Sequence, residues 1–124
     1  MIDRPWAERF AAEWIAVWNR RDLDAILTHY AEDIVFHSPR IALVMGNPID
    51  FVSGKPALAR YWGKALAGNK DLHFELDRVY VGSDSPTIAY RNQRGQHVAE
   101  TFTFDANRSV VTSVAAYAPA LGDT

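Results

Sequence analysis

Large apolar residues return at every fourth position near the start of the chain, at Trp6, Phe10, Trp14 and Trp18, and that spacing predicts an amphipathic helix over residues 5–19. Pro5 suits its first turn and Asp3 its cap. An aromatic stripe of this kind packs a core or lines a site; Trp14 and Trp18 are the open positions, because a buried indole N–H still needs an acceptor. After Asn19-Arg20-Arg21, Asp22 is placed to cap a second short helix in which Leu23, Ile26, Leu27 and Tyr30 keep the helical spacing. Ala31-Glu32-Asp33 breaks the pattern, and Ile34-Val35-Phe36-His37-Ser38 reads as a short strand ended by Pro39. Residues 40–54 are too apolar for an ordinary connection, and they are expected either to cover a pocket as a flap or to pack on the core as a loop. Ser53 is expected to cap a third helix carrying Leu58, Tyr61, Trp62, Ala65 and Leu66, stopped by Gly68-Asn69.

Beyond residue 70 the period changes to two. Leu72, Phe74 and Leu76 alternate with polar residues, Val79 and Val81 resume in the opposite phase, and a bulge at Asp77-Arg78 accounts for the change. Gly82 to Pro86 is a turn, Thr87 to Asn92 a strand, and Gln93-Arg94-Gly95 a hairpin loop with Gly95 at positive φ. That loop pairs Asn92 with Gln96, which sets Tyr90 opposite Val98 and Ile88 opposite Glu100. Asp105 to Arg108 turns the chain once more into a last strand, Val110 to Tyr117. Helix, helix, strand, helix and a four-stranded meander make an α+β domain, and no repeat or linker divides residues 1–124.

In the strand HVAETFTFD, alternation puts Val98, Glu100, Phe102 and Phe104 on one face. A carboxyl on an apolar face resists ionisation unless a cation or donors compensate, so Glu100 is the candidate acid of a pocket; a strand residue at a solvated end is the other reading. Tyr90 shares its face. His37 is the candidate base, although strict alternation sends it to the side opposite Ser38. With 48% hydrophobic and 23% charged residues, the 124-residue chain can bury a core without staples, and zero cysteines exclude disulfides and thiolate metal sites. A net charge of −2 with both signs interspersed leaves no footprint for nucleic acid. No apolar run is long enough to span a bilayer and no secretory leader is visible, so a soluble, cytoplasmic protein is expected. The four histidines show no ligand spacing, and neither a phosphate loop nor a nucleotide fingerprint occurs; no metal and no cofactor are expected.

Several strings carry a family likeness: WNRRDLDAILTHYAEDIVF, the His37-Ser38-Pro39 strand end, the helix after Gly54, and ETFTFD followed by a last strand ending in Tyr117. Together they resemble the nuclear-transport-factor-2-like superfamily, in the branch of SnoaL-like polyketide cyclases and ketosteroid isomerases. The resemblance implies a cone-shaped fold, a curved, mostly antiparallel sheet with three helices enclosing a pocket, and homodimers formed through the outer face of the sheet. It matches Glu100 to the carboxyl donor of the isomerases' oxyanion hole. It also matches Trp14 to their phenol and Ser38 to their general base, departures that argue against ketosteroid isomerisation. Tyr30, Trp62 and Tyr117 match aromatic wall positions, with Trp18 one turn beyond Trp14. The fold hosts unrelated chemistries, so the site must decide function.

The expectations are then a small hydrophobic, oxygen-bearing ligand, Glu100 and His37 as candidate catalytic groups, and Trp14, Trp18, Tyr30, Ser38, Trp62, Tyr90 and Tyr117 as its binding surface. Two activities remain open: proton-transfer catalysis (cyclisation, isomerisation, dehydration or hydrolysis), and a binding or protein-interaction module that performs no chemistry. The partners expected are this ligand and a second copy of the chain, with no nucleic acid and no membrane.

Overall fold

Asp3 starts the first helix by accepting the Trp6 N–H (2.9 Å), and in the computed structural model, which describes residues 1–119, this helix, α1, runs over Arg4–Asn19. The expected stripe is buried along it at Phe10, Trp14 and Trp18, while Trp6 is partly buried and stacks on Phe10 with ring centroids 5.4 Å apart. The Asp22 side chain accepts the Ala25 N–H (3.1 Å) and opens α2, Leu23–Leu27. This helix stops earlier than its spacing predicts. Tyr30 does not extend it but begins β1 (Tyr30–His37), because Tyr30 pairs in parallel with Val110 eighty residues on. The run Ala31-Glu32-Asp33 lies within β1, at a register shift between Tyr30 and Val35.

Residues 40–54 are more regular than a loop. They form a short helix, α3 (Arg40–Met45), ended by Gly46 at φ 75°, and a strand, β2 (Phe51–Ser53), antiparallel to β1. Among the described residues the helices therefore number four rather than three. Ser53 belongs to β2 and caps nothing; the N-cap of α4 (Lys55–Gly68) is Gly54, whose φ of 88° and ψ of 148° suit glycine alone. Arg21, at φ 57°, donates to the carbonyls of Leu66 (2.5 Å) and Asn69 (2.9 Å), and so fastens the α1–α2 corner to the free end of α4.

The meander follows as β3 (Glu75–Val81), β4 (Pro86–Arg91), β5 (His97–Phe104) and β6 (Val110–Tyr117). β3 begins three residues later than the alternation suggests because the Asn19 amide takes both backbone groups of Phe74, donating to its carbonyl (2.9 Å) and accepting its N–H (2.8 Å). The bulge falls where the change of phase puts it, between Leu76 and Arg78. The open sheet has the order β2-β1-β6-β5-β4-β3, antiparallel except for β1 beside β6. Its bulges bend the strands, and the helices fill the concave side: α1 lies against β3 and α4 against β1. Strict alternation from Thr112 and Val114 predicts Val110 on the outer face with Thr101 and Thr103. A register shift between Thr103 and Phe104 turns it inward, where it is fully buried. The last residues of the expected domain, 120–124, lie outside the described part.

Candidate functional site

The position of Glu100 is set by the β4–β5 turn. Asn92 Oδ1 accepts the N–H groups of Arg94 (3.0 Å) and Gln96 (3.1 Å), Gly95 takes φ 76°, and the closed turn fixes Ile88 opposite Glu100 and Tyr90 opposite Val98. Glu100 therefore points to the concave side and is 4% exposed. Its neighbours on both adjoining strands donate to it: Tyr90 Oη–H to Oε1 (3.1 Å) and Ser113 Oγ–H to Oε2 (3.2 Å). No cation lies within salt-bridge distance of this carboxyl among the described residues. Burial raises its pKa to about 7, against the opposing pull of the Tyr90 and Ser113 hydrogen bonds. When protonated, the acid still has a place for its own O–H, since either hydroxyl accepts as well as donates.

Glu100 lines a cavity of about 70 Å³. Trp18, Phe36, Trp62 and Phe74 supply aromatic walls, and Tyr61, Tyr90 and Tyr117 bring phenols into it. These rings lock one another: Trp18 meets Trp62 edge-on at 5.0 Å and Phe74 lies 4.5 Å from Tyr90. Burial pushes the pKa of Tyr61, Tyr90 and Tyr117 above the ordinary phenol value, so each stays a neutral hydroxyl at physiological pH. The Ser38 side chain is buried beside the Tyr61 and Tyr117 phenols and opposes their rise, and its Oγ accepts the backbone N–H of Arg40 (3.2 Å). The polar rim comes from Arg40 and Asn69 and from the β4–β5 turn at Asn92, Gln93 and Arg94.

The expected site residues divide. Glu100, Tyr90, Trp18, Trp62 and Tyr117 line the cavity together. Ser38 stands behind two of its phenols. Trp14 and Tyr30 pair in the core instead, Trp14 Nε1–H donating to Tyr30 Oη (3.0 Å), which answers the need of that indole for an acceptor. Burial, and after it the Glu100 charge, holds the Tyr30 pKa well above the phenol value. His37 is exposed on the outer side of β1, its ring 5.8 Å from Phe51, as strict alternation implies. Sequence reasoning missed Ser113, Tyr61, Phe36, Phe74 and Arg40 as site residues. Ser113 was findable, because it alternates with Ala115 and Tyr117 on the inner face of the last strand; Arg40 was not, because nothing local shows which way the chain turns after Pro39.

The family model of the SnoaL-like domain matches residues 11–117. A crystal structure of a SnoaL-like protein of unknown function from Burkholderia thailandensis is 40% identical, covers 96% of this chain and 100% of that one, and superposes with a TM-score of 0.89. Two more distant structures share the fold: the epoxide hydrolase/cyclase-like enzyme SalBIII, 17% identical over 95% of each chain with a TM-score of 0.73, and a nuclear-transport-factor-2-like protein of unknown function from Cytophaga hutchinsonii, 10% identical over 96% of each chain with a TM-score of 0.69. No curated protein matches the chain. With a family model spanning most of its length and a 40% identical structure aligned over 96% of it, this chain belongs to the SnoaL-like domain family and has the nuclear-transport-factor-2-like cone fold.

Proposed function

We propose that the cavity binds a small hydrophobic molecule bearing oxygen, and that Glu100 transfers a proton to and from it. The observation that carries this reading is one buried carboxyl at the cavity wall, held between two hydroxyl donors, with a pKa of about 7. A group that is half protonated at neutral pH gives and takes a proton with nearly equal ease, which is the condition for general acid–base work. Tyr90 sits within hydrogen-bond distance but keeps its own proton, so it positions the carboxyl and does not act as a second base. One carboxyl is then both acid and base, as a proton shift along a substrate or a ring closure that returns its proton requires. SalBIII, an epoxide hydrolase/cyclase-like enzyme in pyran ring formation, shows that such a fold carries ring-closing chemistry elsewhere. At about 70 Å³ the cavity falls short of the ~300 Å³ at the low end of small-molecule sites, and we propose that α3, which contributes Arg40 and Val44 to the lining, shifts to admit the ligand.

The second reading, a binding protein without turnover, has the cavity's own aromatic lining in its favour. Exchange in heavy water separates the two. Ligands found by a shift in thermal melting are incubated with protein in D2O, and deuterium entering at carbon is followed by mass spectrometry. Exchange catalysed by the wild type and lost in Glu100→Gln supports the enzyme; binding by both without exchange in either leaves the binding protein.

A further inference from the structure

Resting on that reading of the cavity, we infer that its ligand is a hydrophobic acid, with an apolar ring body between the aromatic walls and a carboxylate resting on Arg40. Among the described residues three charged side chains line the cavity, Arg40, Arg94 and Glu100. Arg94 is exposed on the β4–β5 turn and is solvated, whereas Arg40 is half-buried at the start of α3. Arg9, Arg20 and Arg60 are exposed and outside the cavity lining, and other arginines have their guanidinium groups engaged. Arg21 donates to two carbonyls, and Arg4, Arg78 and Arg91 meet carboxylates. Among the described residues Arg40 has neither a carboxylate within 4 Å nor a side-chain hydrogen bond, and its guanidinium carbon lies 5.8 Å from the centre of the Tyr117 ring.

A guanidinium removed from part of its water and given only a ring face favours an anion with planar, two-point geometry. Glu100 does not serve as that anion. It lies outside salt-bridge range of Arg40, and its oxygens are held by Tyr90 and Ser113. A cavity whose half-buried cation has no carboxylate within salt-bridge range among the described residues gains most from a ligand that brings one negative charge. A further observation is independent of charge: among the described residues the Trp18 Nε1–H, buried in the cavity wall, has no acceptor. A second oxygen on the ligand body, a ketone or hydroxyl, satisfies it. The class is thus an oxygenated alicyclic or aromatic carboxylate, anchored by its charge at Arg40 and presented to Glu100 by its other end.

Matched neutral and charged probes test this without knowledge of the natural ligand. Benzoate, cinnamate and 2-naphthoate are titrated beside their carboxamides, which have the same shape and no charge, into wild type, Arg40→Gln and Arg40→Lys. Affinity is read from the indole N–H resonance of Trp18, assigned with Trp18→Phe, and folding of each variant is checked by its amide spectrum. The expected result is a preference for acid over amide of about tenfold or more in the wild type, as a charge-assisted hydrogen bond gives. Arg40→Gln should abolish the preference without weakening the amides, and Arg40→Lys should restore part of it. Acids and amides that bind equally, or a preference that survives Arg40→Gln, overturn the acid assignment and leave the pocket reading standing. Absence of saturable binding by every probe overturns both.

Discussion

At the Glu100 carboxyl, burial and hydrogen bonding oppose each other, and burial wins: the pKa rises from 4.5 to about 7 in spite of two donors. The folded protein therefore holds a proton that the unfolded chain has released between those values, and stability falls as pH rises from about 4.5 to about 7, then levels. The whole change is on the order of 3 kcal/mol, from the free energy of one pKa unit. Urea midpoints measured from pH 4.5 to 8 should trace this fall, and Glu100→Gln should flatten it while keeping the fold. Tyr90→Phe removes one donor to the carboxylate, so the midpoint of the fall should move to higher pH. Tyr30 offers a contrast, since its hydroxyl serves the Trp14 indole in the core. Tyr30→Phe leaves that N–H orphaned at a cost of about 1–3 kcal/mol. Chemical denaturation should register this loss while ligand affinity stays unchanged; weaker ligand binding at unchanged stability would return Tyr30 to the site.

Helix α4 shows how one element depends on two glycines in opposite senses. Gly54, its N-cap, holds φ 88° and ψ 148°, a region closed to residues with a Cβ, although a Cβ there would meet nothing nearer than 3.9 Å. Gly54→Ala is therefore expected to cost about 1–3 kcal/mol through backbone strain alone. Gly63 lies in the body of the same helix, its added methyl would touch Leu23 at an ordinary 3.9 Å, and Gly63→Ala should stabilise by about 0.5–1 kcal/mol. Thermal melting of the two variants should move in opposite directions. Helix α3 is the element we propose as the lid of the cavity. It is six residues long, has no side-chain cap, and leaves Leu43 76% exposed while Arg40 and Val44 face the cavity. Amide exchange over residues 41–50 should be faster than over Thr101 to Phe104, whose strand is paired on both sides. Equal protection in the two segments would remove the lid.

Over the whole molecule the sheet has one face covered by helices and one bare. The bare face carries Val114 (47% exposed) and Tyr80 (54% exposed), with a shallow trough over Ala89, Ala99 and Ala116 between them. Small and β-branched residues in this number suit a second sheet more than water, and a two-fold pairing is self-complementary. Light scattering at micromolar concentration should give twice the 13.9 kDa chain mass, and Val114→Lys should halve it. A wild-type monomer would refute the pairing. His37 lies on this outer side and is not part of the cavity lining, so His37→Ala should leave any proton transfer by Glu100 intact.

Local periodicity determined which face each side chain takes, and much of the chain followed from it. The stripe of α1, the bulge after Leu76 and the Asn92–Gly95 turn were legible because each depends on residues a few positions apart, and that turn alone placed Glu100 and Tyr90 on one face. Contacts between distant segments decided the rest. The pairing of Tyr30 with Val110 overrode a helical spacing, the Asn19 amide delayed the start of β3, and the shift at Phe104 turned Val110 inward. The same holds for the site: a buried carboxyl was readable from alternation, but its pKa of about 7 depends on the depth of its burial and on the hydrogen bonds from Tyr90 and Ser113 on the two adjoining strands. Alternation assigns a residue to a face; only the packed fold sets how dry that face is and which charge lies beside it.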